Sequence, residues 1–144
     1  MNRINLICLG VADLKAALHF YKELGFQTPE KSEDPQIVFF NNKGTKLELF
    51  PIAELAKDMN LPEPSTKEKN SFNGITFAIN VKSEADVDEL IQKAKAVGGE
   101  IVKPPEKVFW GGYSGYFKDL DGYHWEVAYA DSWKFDDQDM LVIE

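Results

Sequence analysis

Cysteine occurs once in this 144-residue chain, as Cys8, and a lone thiol excludes an internal disulfide. Its neighbours Leu6, Ile7 and Leu9 are apolar, which marks a buried strand thiol rather than a nucleophile and suits a reducing, cytoplasmic setting. Long apolar runs are missing as well. The opening stretch MNRINLICLGVADLK reaches Asp13 after a short apolar run with no basic region ahead of it, and no later segment approaches the roughly 20 residues a bilayer helix needs. The expectation is a soluble, unprocessed protein. Basic side chains are scarce, 16 against 24 acidic ones, for a net charge of −8. Such a surface repels phosphate backbones and anionic membranes, which excludes nucleic acid and membrane surfaces as expected partners.

What is present is a chain long enough for one domain, or for two small halves sharing a core. INLICLGV reads as a strand, and Asp13 follows where a helix N-cap belongs. Leu14, Ala17, Leu18, Tyr21 and Leu24 then recur at helical spacing, and Gly25 ends the helix. QIVFFNN and TKLELF predict a strand pair around NNKG. The same order returns downstream. GITFAINV is strand-like, and Ser83 with Asp86 opens a helix whose apolar face is Val87, Leu90, Ile91, Ala94 and Val97 before Gly98 ends it. A turn at Pro104 and Pro105 is expected next, then SGYFKD and YHWEVAYA paired across DLDG. Each half closes on a strand bearing a glutamate, Glu48 or Glu126, and internal duplication accounts for that repeat.

The expected boundaries are a first module over 1–52, a linker with a short helix over 53–73, a second module over 74–131 and an acidic tail over 132–144. The tail is either a loose end or, through MLVIE, a strand for a partner's sheet edge. Because strand side chains alternate, Leu47 and Leu49 share one face while Lys46, Glu48 and Phe50 share the other. Trp125 and Val127 likewise oppose His124, Glu126 and Ala128. The apolar faces must pack on the helices, so both glutamates are expected on the concave side. Trp110, Tyr113 and Tyr116, interleaved with Gly111, Gly112 and Gly115, form a stretch suited to lining a pocket, whereas Phe109 and Phe117 read as structural.

LGVADLKAALHFYKELGF with LELF, and FWGGYSGYFKDLDGYHWEVAYA, resemble the vicinal oxygen chelate superfamily of glyoxalases, extradiol dioxygenases and bleomycin-resistance proteins. The resemblance covers nearly the whole chain. It implies an α+β fold of two tandem βαβββ modules in a concave, incompletely closed mixed-sheet barrel, commonly as a homodimer. In metal-dependent members it also implies a His or Gln in the first strand of each half and a Glu in the last. Glu48 and Glu126 match the glutamates; Leu6 and Thr76 stand at the first-strand positions. Leu120 replaces the proline usual in the hairpin, and histidine falls at 124 instead of directly after Gly122. An alternative set of His124, Glu126 and Glu48 supplies three donors for zinc, manganese, nickel or iron, although His124 and Glu126 lie about 7 Å apart along a strand.

The residues therefore support three readings. The first is a binding protein for a small organic molecule, without the standard metal. Glu126 and Glu48 are then its polar or acid–base groups, and Trp110, Tyr113, Tyr116 and Thr76 its binding surface. The second is a metal-dependent lyase, isomerase or dioxygenase of the glyoxalase type, acting on vicinal oxygens. The third is an interaction module that works through its tail.

Overall fold

Two units divide the chain, Met1–Asn70 and Ser71–Glu144, and the computed structural model describes residues 1–64 and 71–143. Part of the expected linker, 65–70, and the last tail residue lie outside the described residues. The fold is α+β, with a three-stranded and a four-stranded mixed sheet and no closed barrel among the described residues.

In the first unit the elements are β1 (Leu6–Val11), α1 (Leu14–Leu24), β2 (Val38–Phe39), β3 (Lys46–Pro51) and α2 (Ile52–Asp58). Asp13 caps α1 by accepting from the Ala16 N–H at 3.0 Å, and Gly25 closes it at φ 108°. Leu14, Ala17, Phe20, Tyr21 and Leu24 are buried. Burying each large side chain contributes roughly 1.5–3 kcal/mol against about 1 kcal/mol for the cap, so packing decides that α1 exists and the cap decides where it starts. β1 runs parallel to β3, and β2 antiparallel to it, in the order β1-β3-β2.

This unit has three strands where the resemblance implies four. Between α1 and β2, side chains intercept the backbone donors a ladder would need: the Glu30 N–H donates to Thr28 Oγ1, those of Lys31 and Ser32 to Glu30 Oε1, and that of Asp34 to Ser32 Oγ. Local side-chain bonds of this kind hold a segment in successive turns.

The second unit carries the full repeat: β4 (Thr76–Asn80), α3 (Glu84–Ala96), β5 (Glu100–Lys107), β6 (Tyr113–Lys118) and β7 (His124–Tyr129), in the order β4-β7-β6-β5. Ser83 caps α3 by accepting from the Asp86 N–H at 3.1 Å. Val87, Ile91 and Ala94 of α3 are buried, as are Phe117, Trp125 and Val127 of the sheet; the rings of Phe117 and Trp125 stack at 6.2 Å.

Pro104 and Pro105 do not make the turn expected of them; they lie inside β5. Among the described residues β5 is an edge strand, paired only with β6, and its register slips between Ile101 and Lys103 and again between Lys103 and Glu106. A strand with one free side tolerates residues that lack an N–H. The partner residue is suited to the contact, since a Cβ on Gly115 would stand 3.0 Å from the Pro105 nitrogen.

The tail pairs with itself. Phe135 and Leu141 form an antiparallel bridge, and Asp136 Oδ1 accepts from the N–H groups of Gln138 at 2.9 Å and Met140 at 2.8 Å.

Candidate functional site

Strand alternation and register place the candidate residues. In the second unit, Thr76 pairs with His124, Ala78 with Glu126, and Glu126 in turn with Tyr116. Paired residues project from the same face, so Thr76, Tyr116, His124 and Glu126 share the side opposite Trp125 and Val127. Glu126 is half-buried there. The Tyr116 hydroxyl donates to its Oε1 at 2.8 Å. Burial pushes the Tyr116 phenol up to about 12, helped by that hydrogen bond and by the charge of Glu126. At neutral pH Tyr116 is therefore a fixed donor that holds one carboxylate oxygen. The Thr76 hydroxyl is turned to backbone, with the carbonyls of Phe77 and His124 each at 3.2 Å. The ring of His124 packs edge-on against Phe72 at 5.4 Å.

The first unit repeats the arrangement with different chemistry. Glu48 pairs with Cys8 on β1 and with Phe39 on β2, the counterparts of Ala78 and Tyr116. Its carboxylate is buried and accepts a hydrogen bond from the Cys8 thiol, whose pKa rises to about 12 through burial first, then the charge of Glu48, then that bond. α2 lies over the same face: a Cβ on Gly10 would meet Ile52 at 3.0 Å and Leu55 at 3.2 Å.

The aromatic stretch divides between the two sides of the sheet. Tyr113 is on the helix side, opposite Tyr116, and its hydroxyl donates to Asp88 of α3 at 2.8 Å. The structure thus does not bring Tyr113 to Glu126. Trp110, 42% exposed, lies outside the strands, and its indole stacks on Trp133 of the tail at 5.7 Å with the planes 19° apart. Cys8 and Trp133, the partners of two candidate residues, were not legible in the sequence. Period-2 alternation gives faces but not the parallel register that pairs Cys8 with Glu48, and the tail's composition suggested no return to the Trp110 turn.

Residues 3–127 match the family model of the Glyoxalase/Bleomycin resistance protein/Dioxygenase superfamily. The chain belongs to that superfamily. Among solved structures it is similar to a glyoxalase-related enzyme from Fulvimarina pelagi, at 26% identity over 99% of each chain and a TM-score of 0.87. It is also similar to a lactoylglutathione lyase from Agrobacterium tumefaciens, at 25% identity over 94% of this chain and 98% of that one, with a TM-score of 0.65. A glyoxalase/bleomycin resistance protein/dioxygenase from Nocardioides, 24% identical over 92% of this chain and 86% of that one, shares the fold at a TM-score of 0.72.

The divalent metal of glyoxalase-type enzymes is a poor fit to these side chains. Leu6 offers no donor, and the Thr76 hydroxyl is directed to backbone carbonyls. Among the described residues no three His, Cys, Asp or Glu side chains gather as a metal would need. Of the alternative set, His124 and Glu126 share a face of β7, and Glu48 stands on β3 in the other unit.

Proposed function

We propose that this protein binds a small organic molecule bearing a cationic or hydrogen-bond-donating group, anchored by the carboxylate of Glu126 without the superfamily's standard metal. The observation that carries the reading is the 2.8 Å hydrogen bond from Tyr116 to Glu126 Oε1 between two half-buried side chains on one sheet face. A phenol kept neutral at physiological pH orients the carboxylate and leaves its second oxygen for a ligand. Thr76 stands on the same face, where its hydroxyl proton goes to backbone and its oxygen lone pairs can accept from a donor; the outer face of Trp110, whose other face stacks on Trp133, is the flat ring we assign to the ligand. In the first unit, Glu48 held by Cys8 is the equivalent carboxylate. The single cysteine, half-buried on β1, suits a cytoplasmic setting, and the dimer common in the superfamily is the assembly we expect.

The similarity to a glyoxalase-related enzyme over 99% of both chains favours a catalytic version of this site, in which Glu126 takes a proton from the bound molecule. Calorimetric titration with benzylammonium tests the binding reading. The wild-type protein should bind it, and Glu126→Gln should weaken binding about tenfold, as expected for one charge-assisted contact. Equal affinity in the two proteins would remove Glu126 from the site. Metal content measured alongside, on protein purified without chelator, should show no stoichiometric zinc, manganese, nickel or iron; an equivalent per chain would restore the metal-dependent reading.

A further inference from the structure

The first unit contains a cleft of about 470 Å3 between the segment that follows α1 and the β2–β3 pair. That volume lies within the roughly 300–1,000 Å3 typical of small-ligand sites. Gln27 and Thr28 form one wall, and Phe39, Asn41 and Lys46 the other.

Hydrogen bonds and packing hold the cleft in shape. The Thr28 hydroxyl donates to the Phe39 carbonyl at 2.7 Å, and the Asn41 N–H donates to the Gln27 carbonyl at 2.7 Å, so the two lining segments are hydrogen-bonded to each other. Phe40, also at the cleft, is buried and packs against Phe26 at 5.8 Å and Tyr21 at 5.7 Å; those two rings meet edge-to-face at 5.5 Å. Phe39, its neighbour on the chain, is 47% exposed. One ring therefore braces the floor while the next is presented to a ligand.

The charge of the lining is unlike that of the chain. Among the described residues lining the cleft Lys46 is the one cation and there is no carboxylate, whereas the chain as a whole carries a net −8. The Lys46 ammonium donates to the Asn42 main-chain carbonyl, which fixes its position and leaves two N–H donors. Glu48 lies two residues along the same strand face, about 7 Å away by strand geometry, and its buried carboxylate is engaged by Cys8.

We infer that this cleft binds a small planar organic anion, an aromatic or conjugated carboxylate. Lys46 holds the carboxylate, the Phe39 ring covers the apolar face, and the side-chain amides of Gln27 and Asn41 meet polar substituents at the rim. The inference goes beyond the Glu126 reading and selects the opposite charge, so either can fail without the other.

Amide chemical-shift titration with sodium benzoate tests it, with benzamide as the neutral comparison. Benzoate should move the amides of Thr28, Phe39, Asn41 and Lys46, and benzamide should bind about tenfold more weakly for want of the charge. Lys46→Met should abolish the preference for benzoate, and Lys46→Arg should retain it. Phe39→Ser, at an exposed ring that the fold does not need, should weaken both ligands alike. Benzoate and benzamide titrating with equal affinity, or benzoate moving amides elsewhere and not these, would overturn the assignment. A Lys46→Met protein that keeps its spectral dispersion and still prefers benzoate would do the same.

Discussion

Tyr116 and Glu126 are direct partners across β6 and β7, and the phenol of one donates to the carboxylate of the other at 2.8 Å. Burial is the largest cause of the raised phenol pKa of about 12, with the hydrogen bond and the charge of Glu126 adding to it. In a titration followed at the tyrosine ring carbons by NMR, Tyr116 should ionise near pH 12. Glu126→Gln should bring it only part of the way back to 10, because burial remains. A phenol pKa is raised in the folded state, so the stability it contributes is complete below about pH 10 and is lost as pH climbs through about 12. A Tyr116 that titrates at the ordinary phenol value of 10 would refute the pairing.

Cys8 makes the corresponding bond in the first unit and should be chemically quiet for the same reason. With its thiol raised from 9.0 to about 12, the thiolate at pH 8 is about a thousandfold scarcer than for an ordinary exposed cysteine, and alkylation by iodoacetamide should slow in proportion. Glu48→Gln removes the second and third causes of the shift and leaves burial, so alkylation should quicken without reaching the exposed rate. The thiol pKa is raised on folding, so its stabilising effect is present below about pH 9 and disappears toward pH 12. Wild-type alkylation as fast as that of free cysteine would exclude the thiol–carboxylate bond.

The contrast between these two glutamates shows which parts of the structure were legible in sequence. Period-2 alternation around Glu48 and Glu126 gives their faces, and Asp13, Ser83, Gly25 and Gly98 punctuate two helices at places where the structure caps or turns them, because capping chemistry is local. Pro104 and Pro105 misled because two consecutive prolines signal a turn only when the strand they would interrupt needs both its edges. At the open edge of β5 they cost the sheet little. The differing burial of the glutamates was also hidden, since α2 covers the Glu48 face at Gly10 while Glu126 stays half-exposed. Tyr113 and Tyr116 both sit among glycines and look alike by composition, but their spacing of three puts them on opposite faces of a strand.

Gly112 sets the position of Trp110. A Cβ there would lie 1.8 Å from Cζ3 of the indole and 2.1 Å from Cη2, so Gly112→Ala cannot leave the ring where it is. The variant should lose the Trp110–Trp133 stack and with it the stack's circular-dichroism couplet, at a cost of about 0.5–1.5 kcal/mol. Trp133→Phe should lose the couplet while keeping much of the contact. Persistence of the couplet in Gly112→Ala would mean that the indole lies elsewhere.

The tail is tied to the body of the second unit by one cation as well as by that stack. Lys82, just beyond β4, meets Asp139 at 2.5 Å and lies over the ring of Phe135 at 5.7 Å from its centroid. Both groups of the ion pair are more than half or about half exposed, so the pair itself adds little to global stability. Its effect should be local, because Asp139 sits in the turn at φ 61° and Phe135 pairs with Leu141, so one lysine touches both the tip and an arm of the tail hairpin. Lys82→Ala should therefore leave the midpoint of thermal unfolding nearly unchanged while speeding amide exchange at Met140 and Val142, whose N–H groups close the hairpin onto Asp136 and Lys134. Lys82→Arg should keep exchange slow, since a guanidinium offers both the ion pair and the ring contact. Unchanged exchange in Lys82→Ala would show that the hairpin's own hydrogen bonds and the Trp133 stack hold the tail without it.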